Sequence, residues 1–286
     1  MAAIGFTVAA YSLRQQYAVQ SCGGPGDNRM LDSVREKQKN ETQCEVCPIR
    51  SMALFKRVPE DQLGQTQNHR SSQMTYEAKS HLYHEGETSA HVYTLFSGCV
   101  KLYKTLKNGK IQGLRFATPG DFLGFQGDLE GAMHHGAVAL TDITVCAFPK
   151  DEVYRMICEH KDIASELIMK NAKMMAFCQE HLASTGAKSA VESIAFTLIE
   201  FNHRLKQLNK TNKLSHYKDP IDLPITQEDL ADAVGLTAIH VNRTLKQLKQ
   251  DNLIACGKGK IQVLNEEKLK LLAHFDPNCL HVSNIL

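Results

Sequence analysis

The sequence lacks both a long hydrophobic run and an excess of charge of either sign. No stretch approaches the roughly 20 apolar residues that a membrane-spanning helix needs, so we expect no membrane partner. The 33 basic and 31 acidic residues leave a formal net charge of +2, and any affinity for nucleic acid must therefore come from local clustering. The amino-terminal apolar run also lacks a preceding positive charge, which argues against a secretory signal peptide.

The sequence also lacks the regular cysteine pattern of a disulfide-stabilised protein. Its nine cysteines are odd in number and irregularly spaced along 286 residues. A chain of this length can form a core without cross-links, and disulfide frameworks are typical of much smaller secreted proteins. We therefore expect reduced thiols and a cytoplasmic protein.

The first half of the chain changes from a polar extension to β-rich sequence. Residues 1–43 combine glycine-containing and charged segments with little apolar periodicity, so we expect a flexible extension. Residues 44–160 contain many short alternating segments separated by glycine, which predicts a β-roll. The pair Asn108-Gly109 between two such segments predicts a type I′ hairpin turn.

A long amphipathic helix is predicted over residues 161–184, and Gly186 is expected to interrupt it. Its apolar side chains recur at helical spacing, so the stripe that they form must be buried. The helix could pack on its own domain or pair with its twin in a homodimer. The polar Asn171 favours the homodimer, because a lone polar residue in an apolar seam fixes the register of two helices. The predicted stripe consists of Leu167, Ile168, Asn171, Met175, Cys178 and Leu182.

Residues 185–273 carry the most specific pattern. After a second amphipathic helix, Thr226 is placed to cap a short helix as part of a capping box. Ala231, Gly235 and Val241 then have the spacing of a helix-turn-helix, with a small residue, a turn glycine and a buried aliphatic residue. The following segment LIACGKGKIQVL predicts a β-hairpin, or wing.

A basic surface is predicted on the second helix of this motif. Between residues 237 and 260, five basic residues stand against one acid, which gives a local net charge of +4. Such a motif places its second helix in the major groove, and a two-fold dimer then reads a palindromic operator. We expect Arg243 to bind guanine and Asn242 or His240 to bind another base edge. The residues predicted to contact double-stranded DNA are Thr226, Gln227, Thr237, Ile239, His240, Asn242, Arg243 and Lys246.

The segments FSGCVKLY, PGDFLGF, ITVCAFP and TQEDLADAVGLTAIHVNRTLKQL, in this order, resemble the Crp/Fnr family of bacterial transcription regulators. The resemblance runs from about Cys44 to Leu272. It implies an α+β fold with a sensory jelly roll of the cyclic-nucleotide-binding type, a dimerisation helix and a winged helix-turn-helix domain. It also implies a homodimeric activator that works with RNA polymerase. Residues 274–286 form a tail without a readable motif.

The resemblance implies two kinds of signal. In cyclic-AMP-binding members an Arg-Ser pair holds the ribose and phosphate, but His134-His135-Gly136 stand where Arg-Ser-Ala is expected. Without that arginine a buried phosphate would lack its charge partner, so we expect no control by cyclic AMP. In oxygen-sensing members of the Fnr type, four thiolates hold a 4Fe-4S cluster instead.

The cysteines keep part of the Fnr-type pattern. A C-x2-C pair and a roll cysteine resemble three of the cluster ligands, but Ala53 and Phe55 stand where a further amino-terminal cysteine is expected. Four thiolates can still be assembled if Cys22 on the extension folds back as the fourth ligand, and Cys99 on a neighbouring strand is a second, less favoured choice. The predicted ligands of this 4Fe-4S cluster are Cys44, Cys47, Cys146 and Cys22.

Two alternatives remain open. The first is the same regulator without a cluster, either constitutive or controlled by a small ligand in the roll. The second is a cupin-like metal-dependent enzyme, whose ligands would come from the histidines and Glu85 of HLYHEGE or from HHG. We expect no enzyme, because the first set lacks a second half-motif downstream and a helix-turn-helix serves no evident purpose in one. The histidines concerned are His81, His84, His134 and His135.

Overall fold

The computed structural model describes residues 34–37, 41–60, 63–126, 131–211, 217–257 and 260–277. These residues all fall in one unit of the chain, Ser33–Leu286. Most of the predicted extension, including Cys22, lies outside the described residues, as does the predicted tail from residue 278 onward.

The described residues form the predicted roll from antiparallel strands that pair in two sheets. In chain order the strands are β1 (Val34–Lys37), β2 (Ser72–Tyr76), β3 (His81–Tyr83), β4 (His91–Ser97), β5 (Val100–Thr105), β6 (Ile111–Ala117), β7 (Phe122–Leu123), β8 (Gly136–Ala139) and β9 (Ile143–Pro149). One sheet has the order β1-β2-β9-β4-β7 and the other β3-β8-β5-β6. Leu95, Val100 and Val145 are fully buried in the core that the two sheets share. The period-2 pattern of the sequence arises because one face of each sheet packs on this core.

The roll begins earlier than predicted. β1 pairs with β2, and the backbone amide of Thr42 donates to Gln73 Oε1 at 3.0 Å. Residues 34–37 and 41–43 are therefore part of the folded unit, although the sequence predicted a flexible extension up to residue 43. The polar composition of this stretch hid a strand that lies at the edge of its sheet.

The hairpin predicted at Asn108-Gly109 is present, but the predicted type I′ turn is wrong. A type I′ turn needs positive φ at both residues, whereas Gly109 has φ +80° and Asn108 is not in the left-handed region. The amide of Gly109 donates to Leu106 O and the amide of Leu106 donates to Lys110 O, both at 2.8 Å. The loop is therefore longer, and Gly109 supplies the left-handed residue that closes it.

Seven α-helices occur in the described residues, together with a two-stranded hairpin near the carboxyl end. The helices are α1 (Leu63–His69), α2 (Lys150–Glu159), α3 (Lys161–Ala187), α4 (Ala190–Thr211), α5 (Gln227–Val234), α6 (Ala238–Gln250) and α7 (Glu266–Ala273). The hairpin consists of β10 (Ile254–Gly257) and β11 (Lys260–Val263). None of the described helices combines the length and apolarity that crossing a membrane requires.

The predicted dimerisation helix is longer than expected, because α3 continues through Gly186. A glycine inside a helix costs only about 1 kcal/mol relative to alanine, so it does not by itself end the helix. The helix ends where Lys188 becomes extended, and the side chain of Glu192 accepts from the amide of Ser189 at 2.7 Å. This cap at the start of α4 fixes the boundary between α3 and α4.

One hydrophobic cluster joins the roll to the carboxyl-terminal helices. Phe116 of β6 and Cys99, which precedes β5, pack in the same buried cluster as the apolar faces of α4, α5 and α6. The ring centroids of Phe116 and Phe201 lie 5.2 Å apart. The roll and the helix-turn-helix therefore share part of their core.

We predict that Phe116→Ala destabilises the protein by about 3–5 kcal/mol, because a fully packed aromatic side chain is lost from this shared core. Since the cluster spans both parts, circular dichroism during heating should show a single transition at a lower temperature. Leu106→Ala, at a side chain that is 46% exposed, is the control. It should change stability by less than about 0.5 kcal/mol. A roll that melts separately from the helices would contradict the shared core.

Candidate functional site

The first helix of the helix-turn-helix starts at the predicted capping box. Thr226 Oγ1 accepts from the amide of Asp229 at 3.1 Å, and Asp229 Oδ2 accepts from the amide of Thr226 at 2.9 Å. The helix, α5, ends at Gly235, whose φ of +69° lies in the left-handed region. Both features satisfy backbone groups that a helix end leaves unpaired, so the prediction of this motif is confirmed.

The second helix, α6, is also capped and oriented as predicted. Thr237 Oγ1 accepts from the amide of His240 at 3.3 Å. Val241, Leu245 and Leu248 are buried in the shared core and form the inner stripe. The remaining faces of α6 are consequently turned away from the core.

The outer face of α6 presents polar, basic and one large apolar side chain. Ile239 is 84% exposed and Arg243 is exposed one turn further on. Asn242 Nδ2 donates to Gln227 Oε1 at 3.2 Å, which links this face to the first residue of α5. Arg243 Nη2 lies 3.4 Å from His240 Nε2. The predicted DNA-contacting residues, all at the start of α5 or on α6 and its cap, are Thr226, Gln227, Thr237, Ile239, His240, Asn242, Arg243 and Lys246.

The wing follows α6 as predicted. β10 and β11 pair antiparallel, with Ile254 opposite Val263. Lys260 Nζ donates to Asp222 Oδ2 at 2.8 Å, so this cation is partly neutralised by its own domain. Lys258, which was counted in the basic surface, lies outside the described residues.

The long helix α3 has two different faces. Ile168, Met175 and Leu182 recur every seven residues and are 68%, 62% and 74% exposed. Asn171 and Cys178 are exposed between them. A single chain therefore leaves uncovered an apolar stripe for which burial was predicted.

Leu167 does not belong to that stripe. It is 9% exposed and packs in its own chain, in a cluster with Phe148 and Cys146. Because it is one residue from Ile168, it points about 100° away around the helix, toward the roll. Leu167 is therefore buried by its own chain, and its predicted place in the dimer interface stays a prediction.

Three of the four predicted cluster cysteines face one corner of the roll, around Arg70. The Arg70 side chain is 2% exposed, and its Nη1 lies 3.8 Å from Cys146 Sγ. Gln73 Nε2 lies 3.7 Å from the same sulfur. The amide of Cys44 donates to Gln67 Oε1 at 2.9 Å, and that of Cys47 to Cys44 O at 3.4 Å. We call Cys44, Cys47, Cys146 and Arg70 the thiol corner.

Arg70 ties the segment before Cys44 to the roll. Its Nη1 donates to Thr42 O at 2.8 Å and its Nη2 to Glu41 Oε2 at 2.9 Å. Sequence reasoning missed this residue. The only available signal was a basic residue two positions before a predicted strand, and this pattern is common at surfaces.

The thiol corner, as arranged, does not match a metal-ligand set. Burial raises the pKa of Cys146 to about 11, although Arg70 opposes that rise. Burial likewise raises the pKa values of Cys44 and Cys47. Thiolates are the ligating form, and in the described residues no three His, Cys, Asp or Glu side chains lie close enough to hold one metal ion. Cys22 lies outside the described residues, so its predicted ligation stays a prediction.

A cavity of about 350 Å³ lies between the roll and α3 and is rich in cationic side chains. Arg115 Nη1 donates to Asp121 Oδ2 at 2.8 Å, and Arg204 Nη1 lies 3.6 Å from that oxygen. Burial favours a higher pKa for Asp121, but these two guanidinium groups hold it below its ordinary value. Burial lowers the pKa of Lys170 and lowers that of His135 to about 4. Arg204 also pairs with the buried Glu200, and Lys170 donates to two backbone carbonyls, so the lining is cationic but its charges already have partners.

Three of the four histidines of the enzyme alternative contact a tyrosine or one another. The rings of His81 and His84 stack with centroids 4.1 Å apart, and Tyr103 Oη lies 3.2 Å from His81 Nδ1. Tyr83 Oη lies 3.0 Å from His135 Nε2. Glu85, the carboxylate of that alternative, accepts from the amide of Thr105 at 2.7 Å. Within the described part of the chain these side chains do not converge on one point.

Comparison with known proteins matches two separate parts of the chain to protein families. The Cyclic nucleotide-binding domain family matches residues 73–160, and the Crp-like helix-turn-helix domain family matches residues 194–272. The nitrogen fixation regulation protein FixK of Bradyrhizobium diazoefficiens is 29% identical over 85% of this chain and 99% of its own length. The transcriptional activator protein FnrL of Cereibacter sphaeroides is 28% identical over 80% of this chain and 90% of its own length. The solved structure of FixK2 from Bradyrhizobium japonicum has a TM-score of 0.61 and 26% identity, and the match covers 70% of this chain and 96% of FixK2.

Proposed function

Because the chain belongs to the Crp/Fnr family of transcription regulators, we propose that it works in the cytoplasm as a homodimer that recognises a palindromic DNA operator. The observation that carries this proposal is the exposed basic outer face of α6, with Arg243 in its amino-terminal half. This family and its helix-turn-helix domain favour regulation of transcription over the enzyme alternative.

In the proposed complex, α6 enters the major groove with its amino-terminal half toward the base edges. The Arg243 guanidinium has the fork geometry that binds O6 and N7 of guanine, and Ile239 can contact a thymine methyl group. Thr226 and Thr237, which cap the two helices, are placed near the backbone phosphates, where helix starts favour anions. The phosphate contacts position the domain, while Arg243 supplies most of the sequence preference.

The proposed dimer forms along the exposed stripe of α3. Ile168, Met175 and Leu182 recur at the seven-residue spacing of a parallel coiled coil, and Asn171 falls at a second position of the same seam. An exposed apolar stripe of this regularity is typical of an interaction surface rather than of a solvent-exposed helix. Two copies related by a two-fold axis would present their α6 helices to two half-sites of a palindrome.

We further propose that the bound dimer contacts RNA polymerase. The relative FnrL is a transcriptional activator by name, and activation of transcription requires communication with the polymerase. For this chain the proposal rests on that relationship alone.

The proposed signal has two candidates, of which the first is a 4Fe-4S cluster that makes the regulator oxygen-responsive. Three thiols share the thiol corner, and Cys22 would supply the fourth ligand from the extension. Because no three candidate ligands among the described residues lie close enough to hold one metal ion, cluster binding would require this corner to rearrange.

The second candidate is a small anionic ligand in the cavity between the roll and α3. Arg115, Arg204 and Lys170 line it beside Asp121, which is the one carboxylate among the described lining residues, and such a cationic lining favours an anionic ligand. We keep the prediction that cyclic AMP is not this ligand. Positions 134–136 provide no arginine, but Arg115 of β6 contributes a guanidinium group to the same cavity.

We predict that Arg243→Ala weakens binding to a duplex selected from a genomic-fragment pool by about 10- to 100-fold, the usual contribution of a bidentate guanine contact. Fluorescence anisotropy at fixed salt concentration measures the change. Arg155→Ala removes an equivalent guanidinium from α2 of the roll, where the side chain is 53% exposed, and should leave affinity unchanged. Equal affinity of Arg243→Ala and the unmodified protein would refute the proposed binding mode.

Leu182→Glu is expected to convert the dimer to monomers. Each copy loses a buried leucine worth about 1.5–3 kcal/mol, and two carboxylates are brought together at the two-fold axis. Sedimentation velocity at several concentrations measures the dissociation constant, which should rise more than about 100-fold. Leu271→Glu, at a leucine on α7 that is 76% exposed, should not change it. An intact Leu182→Glu dimer would exclude α3 as the interface.

Anaerobic purification distinguishes the two candidate signals. A cluster predicts visible absorbance and acid-labile sulfide that disappear in Cys146→Ser but persist in Cys158→Ser, because Cys158 is exposed on α2. Colourless protein without sulfide would remove the cluster candidate. In that case small anions should raise the thermal unfolding midpoint, and Arg115→Met should abolish this effect, since ligand binding to the native state stabilises it.

A further inference from the structure

A lysine of the roll is buried against the first helix of the helix-turn-helix. Lys101 Nζ, on β5, lies 2.6 Å from Asp229 Oδ1 and 2.9 Å from Asp232 Oδ2. The Lys101 side chain is only 11% exposed. The two carboxylates stand three residues apart on one face of α5, so a single ammonium group reaches both.

The neighbouring strand holds the other end of the same helix. Gln112 Nε2 donates to Asp232 O at 2.8 Å and to Ala233 O at 3.3 Å, two carbonyls of the last turn of α5. A Cβ at Gly113 would lie 3.0 Å from the amide nitrogen of Ala233, so β6 and α5 are in direct backbone contact there. The β5–β6 hairpin thus fixes the orientation of α5 and its position on the roll.

The β5–β6 hairpin contacts α5 without covering the predicted DNA-binding surface. Thr226 and Gln227 at the start of α5 and Arg243 on α6 remain exposed while Lys101, Asp229 and Asp232 are in contact. The contact between the hairpin and α5 is therefore compatible with DNA binding. Asp229 and Asp232, by contrast, are anions close to a helix that would face phosphates, and without a partner they would repel DNA.

The charges of this contact persist at neutral pH. Burial alone would lower the pKa of Lys101, but its hydrogen bonds to Asp229 and Asp232 raise it above its ordinary value. Burial likewise favours a higher pKa for Asp229, whereas Lys101 and Thr226 hold it below its ordinary value. The charged ammonium group of Lys101 and the charged carboxylate of Asp229 therefore face one another under the conditions in which DNA would bind.

We propose that Lys101 is a positioning residue for DNA binding: it holds α5 on the roll in a fixed orientation and neutralises two carboxylates beside the DNA-facing surface. The inference rests on the proposed function but concerns a residue of the roll that does not itself touch DNA. Both effects act in the same direction, so loss of the Lys101 charge lowers affinity for DNA.

The test measures binding of the full chain to a fluorescein-labelled duplex that the unmodified protein has selected from the genomic pool. Lys101→Met keeps the bulk of the side chain but removes its charge, and should weaken binding about tenfold, equivalent to about 1.4 kcal/mol. Lys101→Arg should retain most of the affinity. Lys104→Met is the matched control, because this lysine of the same strand is 48% exposed and pairs with Glu85 of the roll.

A charge exchange separates an electrostatic role from packing. Lys101→Asp should bind DNA at least as weakly as Lys101→Met, and combining it with Asp232→Lys should recover part of the loss. Asp232 is chosen because Asp229 also belongs to the capping box. Thermal unfolding midpoints show whether each variant is folded. If Lys101→Met does not fold, Lys101→Gln replaces it, because the amide removes the charge but can still donate hydrogen bonds to the carboxylates of α5, and a smaller loss of affinity is expected.

The outcomes distinguish this inference from the function on which it rests. If Arg243→Ala loses affinity while Lys101→Met binds as tightly as the unmodified protein, or more tightly, the positioning role is refuted and the DNA-binding proposal stands. If charge exchange recovers nothing although both variants fold, the electrostatic part is wrong. If the unmodified protein selects no duplex at all, the proposed function itself fails.

Discussion

The carboxylate of Asp121 is the point at which the parts of the chain meet. Arg115 of β6 donates to it at 2.8 Å, and Arg204 of α4 lies 3.6 Å away. Arg204 also pairs with the buried Glu200 at 2.5 Å, while Lys170 of α3 donates to the backbone of the same turn at 3.1 Å. Charges removed from water are costly unless they are paired, so the elements that carry them must keep their relative positions. The cavity, the exposed stripe of α3 and the helix-turn-helix all depend on this ionic arrangement.

The inward face of α3 brings the two candidate control sites together. Lys170 Nζ donates to Met52 O at 2.6 Å, and Glu166 pairs with Lys56 at 2.9 Å. Both partners belong to the segment that follows the C-x2-C pair, and Lys170 also lines the cavity. A rearrangement at the thiol corner or a ligand in the cavity would therefore act on the same turns of α3. The exposed stripe lies on the other side of those turns, so either signal could change how two chains pair.

How much the sequence predicted depends on how far apart the interacting residues are along the chain. The caps at Thr226 and Thr237, the turn at Gly235 and the buried stripe of α6 involve partners a few residues away, and all were predicted individually. The roll was predicted only as a class, because its strand order depends on pairs such as Gln73 with Cys146. No periodic pattern specifies a partner at that separation, and the edge strand β1 was missed because edge strands are short and polar.

The charged contacts of the interior were not predictable either, because their partners are far apart along the chain. Lys101 and Asp229 are 128 residues apart, and Arg70 and Cys146 are 76 apart. The absence of arginine at positions 134–136 predicted a missing charge partner for a bound phosphate. Arg115 supplies a guanidinium to the same cavity from another strand. The histidines at positions 134 and 135 still change the charge of the cavity relative to an arginine. His135, whose pKa is lowered to about 4, is neutral near pH 7 and contacts Tyr83. The side of the cavity at His135 is therefore uncharged, and an anion would be held from the side of β6, α3 and α4.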